Sequence, residues 1–356
     1  MMNTHEMMKM NNVRCWLIAS LLGISLAGCS PRADKSKASQ TVLINAAGST
    51  FGYPIYSRWA EEFHKGHPTV EINYQSIGSG AGIRQLLVGT VDLGASDAPM
   101  TNAQMAQARS PILHFPTVLG AVVPTYNIPG FTGELEFTPQ ALAGIFLGQI
   151  TKWNDPAIAG PNAGVKLPSA NIVVVHRADG SGTSFIWTDY LSKVSADWKA
   201  KVGAGTSVSW PVGLGGKGSA GLTGLIQQTP DSIGYVELTY AIQNHILYGS
   251  VRNASGTFIK ASLKSVTAAA ASAARTMPAD FRVSITDPPG KDAYPIASFT
   301  WLLVPTKIPN AAAPNAIKNF LRWMLTDGQN DAAPLGYAKL PSSLSVKEAA
   351  MISRVR

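Results

Sequence analysis

The 356-residue sequence predicts an α/β fold whose ligand crevice lies at the carboxyl ends of its strands. Two observations carry this prediction. Apolar, β-branched runs recur along the chain and are followed by turns built of Gly, Ser and Thr. Those turns then open segments with helical periodicity, and the whole pattern occurs three times.

The first strand is Thr41-Val42-Leu43-Ile44-Asn45-Ala46, and Ala47-Gly48-Ser49-Thr50-Phe51 is its turn. The helix after it carries Ile55, Trp59 and Phe63 four residues apart on one face. Val70-Glu71-Ile72-Asn73-Tyr74 alternates as a strand, and Gly78-Ser79-Gly80-Ala81-Gly82 leads into Ile83, Leu86 and Leu87 at helical spacing. Val91-Asp92-Leu93-Gly94-Ala95 is a short strand ending at Ser96-Asp97-Ala98-Pro99. Phe115-Pro116-Thr117-Val118-Leu119-Gly120-Ala121-Val122-Val123 is a long apolar run, predicted to break at Pro124. Thr138-Pro139 pairs an N-cap with proline at the first helical position, and Leu142, Ile145 and Phe146 face inward behind it.

The third instance of the pattern organises the rest. Ile172-Val173-Val174-Val175 leads through Arg177-Ala178-Asp179-Gly180-Ser181-Gly182-Thr183-Ser184 into a helix reaching about Leu191. Free N–H groups at a helix start, with the macrodipole behind them, favour an anion. Ser181 and Thr183 add hydroxyl donors, Arg177 adds a planar fork, and Asp179 stands where it could fix that fork. An ordinary capped turn uses the same residue types, so this stretch alone leaves both readings open.

Ser195-Ala196-Asp197-Trp198 starts a short helix. Gly213-Leu214-Gly215-Gly216-Lys217-Gly218 matches G-x-G-x-x-G between strand-like 208–212 and a helix over 222–227. Trp210-Pro211 interrupts that strand, and Gly218 stands where a P-loop needs Ser or Thr. A flexible glycine loop lining a cleft is the better reading. The Ala-rich stretch 261–274 reads as an exposed helix, and Ile296-Ala297-Ser298-Phe299-Thr300-Trp301-Leu302-Leu303-Val304 as a strong strand. The last long helix carries Ile317, Phe320, Leu321 and Met324, with Gly328 as its candidate C-cap.

With 46% hydrophobic residues the chain can bury a sizeable core, and its length favours two domains. The formal charge of +8, with no long basic run, suits anionic partners but does not point to nucleic acid. Lys9 and Arg14 precede an apolar stretch too short to span a bilayer, ending in Leu26-Ala27-Gly28-Cys29. Residues 1–28 therefore read as a signal peptide and 29–40 as a flexible tether. Cys15 lies in the removed part, which leaves Cys29 without a disulfide partner. His64 and His67 mimic a metal cluster, but Gly66 and Pro68 break the helix that would align them. No Gly-x-Ser-x-Gly elbow surrounds Ser79, Ser96 or Ser181, so no metal, cofactor or hydrolytic triad is expected.

Leu26-Ala27-Gly28-Cys29 resembles the lipobox of bacterial lipoproteins, which implies cleavage before Cys29 and acylation of it; a plain secretory signal cut nearby is the alternative. The motifs at Gly48-Ser49-Thr50-Phe51, Ile77-Gly78-Ser79-Gly80, Gly94-Ala95-Ser96-Asp97-Ala98-Pro99, Arg177 to Ser184 and Gly213 to Gly218 occur in one order. With Phe115-Pro116-Thr117-Val118 and Ile233-Gly234-Tyr235-Val236-Glu237, they resemble the substrate-binding proteins of bacterial high-affinity phosphate ABC transporters. The resemblance covers nearly all of the chain from Thr41 onward. It implies a two-lobe periplasmic-binding-protein fold, type II-like, with two hinge strands. Lobe I would be 41–118 plus 294–356, and lobe II 119–293.

The same resemblance implies that Thr50, Ser79, Ser181 and Thr183 donate hydroxyls to phosphate. Backbone N–H groups of Phe51, Ser79, Gly182 and Thr183 would join them, with Arg177 as the cation and Asp179 orienting it. Asp97 would accept the proton that phosphate keeps near neutral pH and sulfate lacks, so that sulfate meets an unpaired like charge. A helix N-cap is the plainer role for Asp97. Ala46 and Ser49 depart from the family's usual Gly and Ala, at positions implied to hold no side-chain ligand. The implied function is a monomeric, non-enzymatic periplasmic carrier that binds inorganic phosphate. It would be lipid-anchored through Cys29 and deliver its ligand to permease and ATPase subunits. A sensor or adhesin on the same fold, or a phosphate-ester hydrolase, are the alternatives.

Overall fold

A computed structural model describes residues 41–274 and 277–356; Cys29, the signal segment and the tether lie outside the described residues. Eight strands form one continuous path: Val70–Ser76, Val42–Gly48, Leu93–Ser96, Ala297–Pro305, Ile112–Asn127, Ser232–Glu237, Val173–Arg177 and Leu214–Gly216. Pairing is parallel at both ends and antiparallel around the two strands in the middle. Parallel strands need helical crossovers, and the helices Tyr53–Gly66, Ser79–Val88, Gly182–Val194 and Gly218–Gln228 supply them. This is an α/β fold of two lobes. Among the described residues no helix is long and apolar enough to cross a membrane.

The strand Ile112–Asn127 serves both halves of the sheet. Its residues 112–121 pair with Ala297–Pro305, and 122–127 pair with Ser232–Glu237. It is buried almost throughout, which accounts for a run of apolar residues without alternation. The expected break at Pro124 does not occur. Proline lacks only the donor, and its carbonyl still accepts from the Gly249 N–H at 3.0 Å. Pro116 is accommodated differently: Thr300 opposes Val118 and Trp301 opposes Pro116, so Thr117 is a bulged residue. The bulge turns the Thr117 hydroxyl to the Thr300 carbonyl at 3.0 Å and to Tyr56 Oη at 3.0 Å.

Helix faces follow the sequence periodicity, with Ile55, Trp59 and Phe63 buried on one and Ile317, Phe320, Leu321 and Met324 on another. Three expectations are corrected. The Ala-rich helix Leu263–Ala274 buries Val266, Ala269 and Ala270, because alanine is small enough to pack closely against the sheet. Residues 208–212 form no strand; the strand is Leu214–Gly216, inside the glycine loop itself. Gly328 does not cap the helix Ala313–Leu325, which ends at Thr326, and its carbonyl accepts from Trp59 Nε1 at 2.6 Å.

Candidate functional site

Five strand ends and the helix starts beside them meet at one place. Ser49, Thr50 and Phe51 follow the first strand, Gly78 and Ser79 open a helix, and Asp97 follows Leu93–Ser96. From the other half of the sheet come Arg177 to Thr183 and the Lys217-Gly218-Ser219 turn. Thr50, Phe51, Ser79, Asp97, Arg177, Ser181, Gly182 and Thr183 are all buried. The first N–H groups of three helices, starting at Ser79, Gly182 and Gly218, have no intrahelical acceptor.

Arg177 is held from behind. Its backbone N–H donates to Tyr235 Oη at 3.1 Å, and the same phenol bonds Ser184 Oγ at 2.6 Å. Tyr235 in turn stacks on Trp187, with ring centroids 5.1 Å apart. His176 points to the other side and stacks on Trp210 at 4.8 Å, as the two-residue period of a strand requires. The guanidinium donates twice to Asp179, from Nε to Oδ1 at 2.7 Å and from Nη2 to Oδ2 at 2.6 Å. The Gly218 N–H adds a third bond to Asp179 Oδ1 at 2.9 Å. Partial burial raises the Asp179 carboxyl, but the Arg177 fork and charge outweigh it and hold the group below the usual carboxylate range. The remaining nitrogen, Nη1, points to Ser219 Oγ at 3.4 Å and so toward the centre of the site.

Asp97 lies opposite. Its Oδ1 accepts from the Ser49 hydroxyl and from Thr300 Oγ1, the latter at 2.7 Å. Its Oδ2 has only Ser79 Oγ, at 3.3 Å. Burial pushes the carboxyl up to about 6, against the pull of Ser49, Thr300, Arg177 and Ser79. No helix begins at Ala98; the nearest N-cap is Thr101, so the capping role for Asp97 fails. Gly182 packs directly on this carboxylate, since a Cβ there would fall 2.6 Å from Asp97 Oδ2 and 2.5 Å from Ser79 Oγ.

Ser181 Oγ accepts from the Ser184 N–H at 3.1 Å, which leaves its own proton free to donate. Thr183 Oγ1 is buried without a hydrogen-bond partner. Such orphans are rare and call for an explanation, and a donor aimed at a ligand is one. Thr50 Oγ1 bonds Ser219 Oγ at 2.8 Å and accepts the Ser219 N–H at 3.2 Å. The Thr50 and Phe51 carbonyls accept from Tyr240 and Tyr337 at 2.8 and 2.6 Å. A groove of about 830 Å³ reaches Thr50, Asp179 and Ser219 from outside, past Tyr53, Arg58 and Lys217.

Thr50, Phe51, Ser79, Asp97, Arg177, Asp179, Ser181, Gly182 and Thr183 thus come together, whereas Cys29 lies outside the described residues. Sequence reasoning missed Ser219, which follows a glycine loop set aside as a lining. It also missed Thr300 and gave no role to Ser49, both of which hold Asp97. Among the described residues no group of three or more His, Cys, Asp or Glu is placed to hold a metal. His64 and His67 bond instead to the Val70 and Phe63 carbonyls. The chemistry on offer is a dense set of neutral donors, one fixed cation and one carboxylate with a spare lone pair. That set suits a small oxyanion still carrying a proton.

Comparison with known proteins agrees with this geometry. The family described as the PBP superfamily domain matches residues 35–328. The phosphate-binding protein PstS of Xylella fastidiosa strain Temecula1 is 40% identical over 354 residues, covering 95% of this chain and 96% of that protein. PstS of Pasteurella multocida is 43% identical over 309 residues, covering 86% and 89%. In fold, the chain is similar to a phosphate-binding protein of Stenotrophomonas maltophilia at a TM-score of 0.66 and 17% identity, covering 87% and 94%. The chain belongs to the PstS family of phosphate-binding proteins, within the PBP superfamily.

Proposed function

We propose that this chain binds inorganic phosphate between its lobes and delivers it to the permease and ATPase subunits of a membrane ABC transporter. The observation that carries this is the Asp97 carboxylate, with Oδ2 left nearly free, set among Arg177, three helix starts and the orphaned Thr183 hydroxyl. Thr50, Ser79, Ser181 and Thr183 donate hydroxyls, and Phe51, Ser79, Gly182 and Thr183 donate backbone N–H groups. Arg177 supplies the charge, Asp179 orients it, and Asp97 takes the ligand's proton. Names carried by relatives at 40–43% identity support the same reading.

The lobes are 41–118 plus 294–356, and 119–293. The change of partners along Ile112–Asn127 supports a hinge there, and contacts from both lobes favour the closed state. Calorimetric titration of the chain from Cys29 onward with phosphate, then sulfate, at neutral pH tests the reading. Micromolar or tighter phosphate binding, about −8 kcal/mol or better, with silent sulfate is expected; no phosphate binding would overturn it. The role is that of a carrier and not an enzyme, so a chromogenic phosphate ester should not be turned over.

The protein is periplasmic and monomeric, and a lipid on Cys29 holds it to the membrane. Two or three acyl chains anchor stably where one does not. Cys29→Ser should move the protein from the membrane fraction to the soluble one and abolish incorporation of labelled fatty acid, without changing phosphate affinity. Membrane retention of the variant would remove the anchor from this proposal.

A further inference from the structure

Resting on the phosphate reading above, we propose that Gly80 and Gly180 form a seam that sets how tightly the two lobes shut on the ligand. The Gly80 N–H donates to the Gly180 carbonyl at 2.8 Å, joining a helix start and a turn a hundred residues apart, which follow strands in opposite halves of the sheet. A Cβ on Gly80 would stand 3.1 Å from the Gly180 Cα, and one on Gly180 would stand 3.2 Å from the Gly80 Cα. The neighbours continue the contact. A Cβ on Gly78 would collide with Asp179 Oδ2, and one on Gly182 with Ser79 and Asp97.

Neither Gly80 nor Gly180 has a left-handed backbone, so conformation does not demand glycine at either position. Gly80 is the second residue of the helix Ser79–Val88, where alanine is the better helix former. What does require glycine is the approach of the other lobe. The opposing atoms are backbone and cannot rotate away, so added methyls must be met by parting the lobes a few tenths of an ångström. The seam alternates with the ligand groups: Ser79 lies between Gly78 and Gly80, and Ser181 between Gly180 and Gly182. The orphaned Thr183 hydroxyl follows directly. Parting the seam therefore lengthens bonds to the ligand from both sides at once, while leaving each lobe intact.

The test is Gly80→Ala and Gly180→Ala, with Gly224→Ala as control, because Gly224 is a helical glycine with open space where its Cβ would be. Ligand-free Gly80→Ala should melt at or above the unaltered chain. Its phosphate affinity should fall about tenfold, seen in a faster release rate by stopped flow, with the association rate within about threefold. Gly180→Ala should shift affinity in the same direction, and Gly224→Ala should not. If the unaltered chain binds phosphate and both seam variants release it at the unaltered rate, the seam has no such role. A melting temperature lowered in step with affinity in both variants would overturn it too, assigning the glycines to folding. If the unaltered chain does not bind phosphate, the phosphate reading fails and the seam with it.

Discussion

Arg177→Ala is expected to weaken phosphate binding by a hundredfold or more, measured by calorimetric titration at neutral pH. Hydrogen bonds to charged groups contribute about 1.5–3 kcal/mol each against about 1 kcal/mol for neutral ones, so loss of the buried Arg177 guanidinium exceeds loss of any single hydroxyl. The same substitution strips Asp179 of a bidentate partner whose side chain is only 1% exposed. Breaking a buried pair on one side costs about 3–5 kcal/mol, because it leaves the other charge uncompensated, whereas replacing both partners by apolar residues leaves no such charge. The informative comparison is therefore Arg177→Ala beside Arg177→Ala/Asp179→Ala. The double variant should regain most of the stability and none of the affinity. The paired Asp179 carboxyl lies below its ordinary range, so its stabilisation is present above the ordinary carboxylate pKa. That stabilisation fades as pH falls through the lowered value, and the stability gap between Arg177→Ala and the unaltered chain should narrow in acid. Recovery of phosphate binding in the double variant would remove Arg177 from the site.

The parts of this site that were legible in the sequence are those built locally. Arg177, Asp179, Ser181 and Thr183 lie within seven residues between a β-branched run and a helical one, so composition and spacing report them together. Thr50 and Ser79 show through the same pattern because an anion turn at a strand end uses the same small residues each time. Ser219 obeys that pattern too, but its strand is three residues long and mostly glycine, which hides it from any apolar count. Thr300 gives no local sign. It is a threonine inside an apolar strand, 203 residues from the Asp97 it holds, and a bulge set by Pro116 lies beside it. Pro124 misled for a related reason: a proline ends a strand where its N–H is needed, and only the tertiary pairing shows where it is not. The fold class followed from period and order, whereas the partners of a buried carboxylate are fixed by topology.

Asp97→Asn is expected to narrow the preference for phosphate over sulfate by about tenfold or more, because it removes both a proton acceptor and a like charge. Asp97 Oδ1 is already taken by Ser49 and Thr300, and Oδ2 has one long contact, so Oδ2 keeps a free lone pair beside Ser79 and Gly182. Phosphate near neutral pH brings a proton to that lone pair. Sulfate brings none and meets an uncompensated carboxylate where water is excluded. The unaltered protein should itself begin to admit sulfate as pH falls through about 6, where Asp97 takes up a proton and becomes a donor. The asparagine variant should show no such step. Stability moves the other way. A folded pKa of about 6, against 3.8 for an ordinary aspartate, means that the ionised form is disfavoured by burial. At pH 7 the ligand-free protein bears that cost, on the order of 2–3 kcal/mol, and sheds it as pH falls from 7 toward 4. Asp97→Asn should therefore melt higher than the unaltered chain at pH 7 and lose that advantage near pH 4. Competition binding of phosphate against sulfate from pH 5 to 8, beside thermal melts over the same range, separates the two effects. A more stable variant with unchanged discrimination would leave Asp97 as a strained structural carboxylate and pass the choice of anion to the donors around it.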